Sequence, residues 1–302
     1  MGRDVMLRGH ALHVAEFGDP GSPAVLYIHG GPGMGAYHFE RFQAERLGRK
    51  LRLITMDQRG VLRSAPLADG EPLTLSDVLE DFEALRAAMG IDRWSLIGHS
   101  FGGYLALLYA EMYPRRVHLL VLENASLDPA SSARSLLAAA ALEYGVQGDQ
   151  SGARACLDLA HAPAETPARR LWAELATRLG GLGSRRNHLY VHGQDKALVE
   201  ELTASAPFPS EWWRRGGTHQ ERLVSEGRMF TSLLAGLAQV RQRTLLVKGR
   251  YDAVWADDQL HACMRTMPAA ELRVFADSSH FVHMEEPESF SDAVTAFLRE
   301  GA

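Results

Sequence analysis

Residues 94–103 read Trp94-Ser95-Leu96-Ile97-Gly98-His99-Ser100-Phe101-Gly102-Gly103, an apolar run that breaks at a small-residue turn and resumes as a helical pattern ended by Pro114. A strand running straight into a helix predicts a turn so tight that side chains at positions 98 and 102 would strike neighbouring backbone. Ser100, at the tip, is then held in a strained conformation that presents its hydroxyl outward. The first N–H groups of the new helix point at the same place. That is the strand–turn–helix context of a nucleophilic serine, G-x-S-x-G.

Working outward, short apolar runs alternate with helical patterns, the signature of βα units in a largely parallel sheet covered on both faces. Strands are predicted over 24–29, 51–56, 94–97, 117–122, 244–247 and 271–275, with an antiparallel hairpin from 5–8 and 12–17 before the turn Gly18-Asp19-Pro20. The fold class is therefore α/β, with about eight strands. Thr74-Leu75-Ser76-Asp77 opens a helix that runs to Met89 and stops at Gly90, and others span 101–113 and 287–299. Residues 123–243 show no clear strand pattern and are rich in Ala, Leu, Arg and Glu. They predict a helical cap, 125–239, inserted into a core of 1–124 and 240–302. Its helices are expected over 131–144, 152–161, 167–179, 196–204 and 220–239, with a loop near a cavity over 206–217.

A serine hydroxyl is a weak nucleophile and needs an imidazole to take its proton and a carboxylate to orient that imidazole. Asp252 follows the strand at 244–247, and His280 follows the last strand. One helix and one strand fit between them, so both can reach the carboxyl edge of the sheet above Ser100. Glu123, which also ends a strand there, is the rival acid. His283 is expected beside the site rather than as the base. Negative charge on a substrate carbonyl calls for backbone donors. The glycine-rich turn His29-Gly30-Gly31-Pro32-Gly33 lets a backbone approach closely, so Gly31 and Phe101 are the candidate oxyanion donors. Arg186, Trp212 and Trp255 are the candidate substrate-binding residues. His188 and His192 have i, i+4 spacing but lack the glutamate of a zinc-hydrolase helix, so no metal or other cofactor is expected.

The charge of -5, from 37 acidic and 32 basic residues, leaves no basic stripe for nucleic acid. No apolar run is long enough to span a membrane, and the N-terminal residues lack a signal peptide's apolar stretch. Cys156 and Cys263 lie far apart in helical patterns, which suggests buried free thiols and a cytoplasmic protein. The expected partner is a small-molecule or short-peptide substrate.

His29-Gly30-Gly31-Pro32-Gly33 and Asp57-Gln58-Arg59-Gly60, with Gly98-His99-Ser100-Phe101-Gly102-Gly103, Gly249-Arg250-Tyr251-Asp252 and His280, resemble the proline iminopeptidase branch of the α/β-hydrolase superfamily. The resemblance implies a serine hydrolase with a cap-shaped pocket and, more narrowly, an exopeptidase releasing an N-terminal residue. Three departures from the branch stand out: Leu62 replaces a usual glycine, the turn carries His99 and Phe101 as in general esterases, and Arg186 stands where the family places an amine-binding glutamate before Asn187-His188. A cation there would repel a substrate ammonium. The function expected is that of a proline iminopeptidase-like aminopeptidase acting on a small peptide, amide or ester, and the departures leave a carboxylesterase or amidase of unblocked or acidic acyl substrates, without free-amine recognition, as the alternative. A non-catalytic ligand receptor on the same fold is the alternative of another class.

Overall fold

Successive residues of a strand face opposite sides of a sheet, and here both sides are covered. The computed structural model describes residues 2–193 and 198–300. Among them eight strands form one sheet: β1 (Arg3–Leu7), β2 (His10–Phe17), β3 (Ala24–Ile28), β4 (Arg52–Met56), β5 (Trp94–His99), β6 (Val117–Glu123), β7 (Thr244–Gly249) and β8 (Ala270–Phe275). Their order is β1-β2-β4-β3-β5-β6-β7-β8, antiparallel from β1 through β2 to β4 and parallel beyond. Leu26, Ile28, Leu96, Leu120, Leu122 and Leu246 pack on one face, beneath α2 (Leu75–Ala88) and α3 (Phe101–Met112). Val25, Tyr27, Ile97, Val121, Leu245 and Val247 pack on the other, against α1 (Tyr37–Gly48) and α11 (Pro287–Glu300). Residues adjacent in sequence thus belong to separate cores, which is why the central strands read as unbroken apolar runs.

Local signals start several helices. Thr74 and Asp77 form a reciprocal capping box at α2. Asp128 accepts from Ser131 N–H ahead of α4 (Pro129–Val146), and Asp149 accepts from Gly152 N–H ahead of α5 (Gln150–Ala160). With α6 (Ala168–Leu182) these helices make their own apolar cluster, to which Val254 from the loop after β7 contributes. α7 (Leu198–Ala204) and α8 (Arg215–Glu226) follow, then α9 (Asp257–Thr266) and the short α10 (Val282–Glu285). The predicted helix start at Lys196 lies outside the described residues.

Two expectations are corrected. The single helix expected over 220–239 is broken: α8 stops at Gly227, whose φ of 89° is the left-handed conformation that ends helices, and two 3-10 turns, Arg228–Phe230 and Leu234–Gln239, follow. The stretch 206–217 is not a loop throughout, because the 3-10 turn Ser210–Arg214 leads directly into α8. Leu223, just before that break, and Met229 and Leu237 beyond it join the main core rather than the cluster of α4 to α6. Both cysteines are buried free thiols, and no helix among the described residues is long and apolar enough to cross a membrane.

Behind the sheet edge, Arg59 donates from Nε and Nη2 to Asp81 at 2.9 and 2.6 Å, with side chains 7% and 1% exposed. Arg8 reaches the same carboxylate at 3.0 Å. Replacing one member of such a buried pair strands the other's charge. Asp81→Ala should therefore lower the unfolding free energy by about 3–5 kcal/mol, with Asp81→Ala/Arg59→Met recovering part of the loss. Urea denaturation measures both; a single variant as stable as the native chain would show that the pair carries no structural weight.

Candidate active site

Ser100 sits between β5 and α3 with φ 56° and ψ −122°, a conformation few non-glycine residues adopt. The crowding is mutual. A Cβ on Gly102 would lie 2.0 Å from Ile28 O, and one on Gly98 2.5 Å from Gly102 O. Ser100 N–H donates to Glu123 O at 2.9 Å, so the turn is also fastened to β6. As the first residue of α3, Phe101 has no intrahelical acceptor for its N–H.

The structure brings His280 and Asp252 together. His280 Nδ1 lies 2.8 Å from Asp252 Oδ1, and a carboxylate only accepts, so that nitrogen carries the proton and Nε2 is left with a lone pair. Asp252 Oδ1 also accepts from Val254 N–H at 3.0 Å, while Oδ2 accepts from Trp255 N–H at 2.8 Å and Lys248 Nζ at 3.1 Å. Burial alone would push this carboxyl up, but His280, Lys248 and the backbone donors hold it well below the usual carboxylate range. Its partners therefore favour the ionised form of the carboxylate.

The loop carrying His280 is gripped from three sides. Asn124 Nδ2 donates to the carbonyls of Ser279 and His280 at 2.8 and 2.9 Å, and its Oδ1 accepts from Gly249 N–H at 3.0 Å. His99 Nε2 donates to His280 O at 3.0 Å. Glu285 accepts from Ser279 N–H at 2.9 Å and from Phe281 N–H at 3.3 Å. Asn124 and Glu285 escaped the sequence reading. Asn124 did leave a signal, being the polar residue directly after a strand that ends at the site.

Glu123 serves a different histidine. Its oxygens accept from the backbone N–H of His283 at 2.8 Å and from Nδ1 at 2.9 Å. Burial lowers both His283 and His99 to about 3 and raises Glu123 to about 7. Ligand-type atoms of His99, Glu123 and His283 lie within 4.8 Å of one another, but their hydrogen bonds to one another and to His280 O already engage both carboxylate oxygens and one nitrogen of each ring. His188 and His192 are apart from this group: His188 Nδ1 bonds Glu143 at 3.0 Å, and His192 stacks on Tyr251.

A second loop faces the serine. Gly31 has φ 115°, where a Cβ would strike Gly33 N and Met34 N at 2.7 and 2.8 Å, and a Cβ on Gly30 would meet that of Ser100 at 2.8 Å. The segment after β4 braces this loop. Gln58 donates from its backbone to His29 Nε2 and from its side chain to His29 O, both at 3.0 Å. Asp57 Oδ1 accepts from Ala36 N–H at 2.7 Å, and Arg63 ties Asp57 to Glu40.

Between the two loops lies a cavity of about 250 Å³, lined by Gly31, Ser100, Phe101 and His280 from the sheet edge and by apolar groups such as Leu136, Trp172, Val191 and Met229 from the helical segment. The three residues expected to bind substrate do not line it. Arg186 is exposed on the 3-10 turn Gly183–Leu189, where successive side chains point about a third of a turn apart; Asn187 lines the cavity and Arg186 does not, although its charge acts on Tyr190 in the cavity wall. Trp212 stacks on Phe208 and packs with Tyr37, Val61 and Leu62 on the sheet's flank. Trp255 is fully buried in the main core, and only its backbone N–H touches the site.

A family model described as alpha/beta hydrolase fold matches residues 23–287. Among curated relatives, the proline iminopeptidase of Xylella fastidiosa (strain 9a5c) is 39% identical over 115 residues, 38% of this chain and 36% of that protein. That of Neisseria gonorrhoeae is 38% identical over 117 residues, with the same shares. The matches thus span little more than a third of those relatives' own length. Among solved structures, a proline iminopeptidase-related protein from Thermus thermophilus superposes with a TM-score of 0.77 at 23% identity, over 100% of this chain and 98% of that one. A meta-cleavage product hydrolase from Pseudomonas fluorescens gives 0.66 at 21% identity over 100% and 99%. At these identities the structural likeness shows the fold alone.

Raising Glu123 from an ordinary 4.5 to about 7 means that the folded chain holds this proton more tightly than the unfolded one. Its contribution to stability is complete below about pH 4.5 and is lost as pH rises through about 7. Glu285, pushed by burial to about 7, acts in the same direction. Glu123→Gln should reduce the fall in unfolding free energy between pH 4.5 and 7.5 by up to about 3 kcal/mol. An undiminished fall in that variant, followed by urea denaturation, would place the titration elsewhere.

Proposed function

The chain belongs to the alpha/beta hydrolase fold family, and we propose that it is a serine hydrolase that cleaves small uncharged esters or amides through an acyl-serine intermediate. Ser100 Oγ attacks the carbonyl carbon while His280 Nε2 takes its proton. Asp252 holds the imidazole in the tautomer that leaves Nε2 free and balances the imidazolium as it forms. Gly31 N–H and Phe101 N–H receive the negative charge on the carbonyl oxygen. His280 then returns the proton to the leaving oxygen or nitrogen, and a water repeats the sequence to release the acid. The helical cap, 125–239, supplies the cavity's upper wall.

One observation carries the substrate class: among the described residues the wall of the cavity over Ser100 holds no carboxylate and no fixed cation. A free aminoacyl group would bring its ammonium into that apolar space unpaired, at a cost of several kcal/mol. At about 250 Å³ the space suits a small acyl group, just under the roughly 300–1,000 Å³ of common ligand pockets. An aminopeptidase reading has one observation in its favour besides the relatives' names. Asn187, on the cavity wall, donates to Glu200 Oε1 at 2.8 Å, which places a carboxylate just outside that wall.

A fluorophosphonate should label the chain once, at Ser100, and Ser100→Ala should abolish the labelling. Intact-mass measurement decides, and an adduct on the variant would move the nucleophile elsewhere. Among arylamides, N-acetylprolyl and N-acetylalanyl substrates should exceed their free-amine counterparts in kcat/KM by at least about tenfold, one ammonium's worth of about 1.4 kcal/mol or more. A preference for free amines that disappears in Glu200→Gln would instead establish the aminopeptidase reading.

A further inference from the structure

Lys248 lies at the inner end of β7, four residues before Asp252, with a side chain only 7% exposed. Its ammonium donates to Asp252 O at 2.7 Å and to Oδ2 at 3.1 Å. The other oxygen of that carboxylate holds His280 Nδ1. One anion is thus shared between a standing cation and an imidazole that becomes a cation only on taking the serine proton. Orientation does not require the lysine, since Val254 and Trp255 N–H groups already fix the carboxylate.

Building on the Ser100 reading, we propose that Lys248 is a positioning residue that sets the working pH of the His280 base by offsetting the charge of Asp252. A lone buried carboxylate would bind the imidazolium strongly and keep His280 protonated, and therefore useless as a base, to higher pH. A cation on its far oxygen weakens that hold. His280 then stays neutral further into the acid range, at the expense of weaker stabilisation of the imidazolium formed during reaction. A unit charge 6–8 Å away at an effective dielectric of about 20 moves a titration by about 1.5–2 pH units.

Other groups face His280. The His99 ring lies 4.6 Å away at the end of β5 and the Tyr190 ring 5.6 Å away on the helical side. Glu123 at the end of β6, His283 on α10 and Glu285 at the loop also adjoin it, and Arg186 acts on Tyr190 from the helical side. Burial lowers His99 and His283 to about 3 and raises Tyr190 to about 12, so none of these changes charge in the neutral range. Glu123 and Glu285, both raised to about 7, do overlap with it, and their glutamine variants serve as backgrounds.

The test is the pH dependence of the second-order rate at which an uncharged fluorophosphonate labels Ser100, in the native chain and in Lys248→Met, Lys248→Gln and Lys248→Arg. Both neutral variants should raise the midpoint of the acid limb by about 1–2 pH units, with no loss of the high-pH plateau. Lys248→Arg should keep the native midpoint, and the shift should persist in Glu123→Gln and Glu285→Gln backgrounds. A midpoint that stays put in folded Lys248→Met or Lys248→Gln overturns the proposal. So does a loss of cooperative melting in both neutral variants with Lys248→Arg folded, which would make the lysine a structural counter-ion. A native chain that is never labelled at Ser100 would instead count against the serine assignment on which the proposal builds.

Discussion

At the end of β5 the backbone reverses into α3 with the β3 carbonyls pressed against it, and there is no room for a Cβ at Gly98 or Gly102, on either side of the serine. Everything else in the site is arranged around that crossing. It holds Ser100 at φ 56°, a local cost of order 1–3 kcal/mol that persists only because both neighbouring strands pin the turn. It also brings the Gly30–Gly31 backbone up against the serine, since Gly30 has space for hydrogen but not for carbon. The proximity of Ser100 to the Gly30–Gly31 backbone therefore follows from backbone packing in the sheet and does not rely on side chains finding one another.

Polar groups then hold the loops that packing alone would leave free. Asn124, itself at φ 43°, ties the end of β6 to the end of β7 and to the carbonyls of Ser279 and His280. The glycine at 249 matters for the same reason: a Cβ there would lie 1.9 Å from Ser279 O. On the opposite side, Asp57 reaches back to Ala36 N–H and so caps α1 from a distance, while Arg63 neutralises it. These contacts hold the loops from strand ends rather than from the middles of loops.

Much of the fold was legible because burial on both sheet faces leaves apolar runs, and because Thr74, Pro114 and Gly90 act on their immediate neighbours. The elbow, Asp252 and His280 were legible for a related reason, each lying just past a strand on one sheet edge. What stayed hidden depends on distant partners. α1 has no local start signal, since Ala36 makes no side-chain cap and its N–H is satisfied 21 residues away by Asp57. Arg186 is next to Asn187 in sequence, but on a 3-10 turn neighbours face different ways, and of the two only Asn187 lines the cavity. Trp212 and Trp255 pack into apolar clusters, because aromatic side chains fill cores as readily as they line cavities, and no sequence pattern separates the two. Gly227 was a readable stop that the apolar periodicity on either side of it outweighed.

Charge in this region is distributed with one consistent asymmetry. Asp252 with Lys248, Asp57 with Arg63 and Glu40, and Asp81 with Arg59 all lie behind the backbone that lines the site, each paired and almost dry. The surface facing a substrate is apolar apart from Ser100, His280 and a few neutral groups. In such a space, backbone N–H groups aimed at a developing oxyanion act through a low dielectric and lose little to reorganising water. The same emptiness penalises any substrate that carries its own charge to the reacting carbonyl. Under the proposed reading, the low-dielectric wall that would strengthen donation from Gly31 and Phe101 would also select for uncharged acyl groups, and adding a carboxylate to that wall to admit an ammonium would weaken the donors.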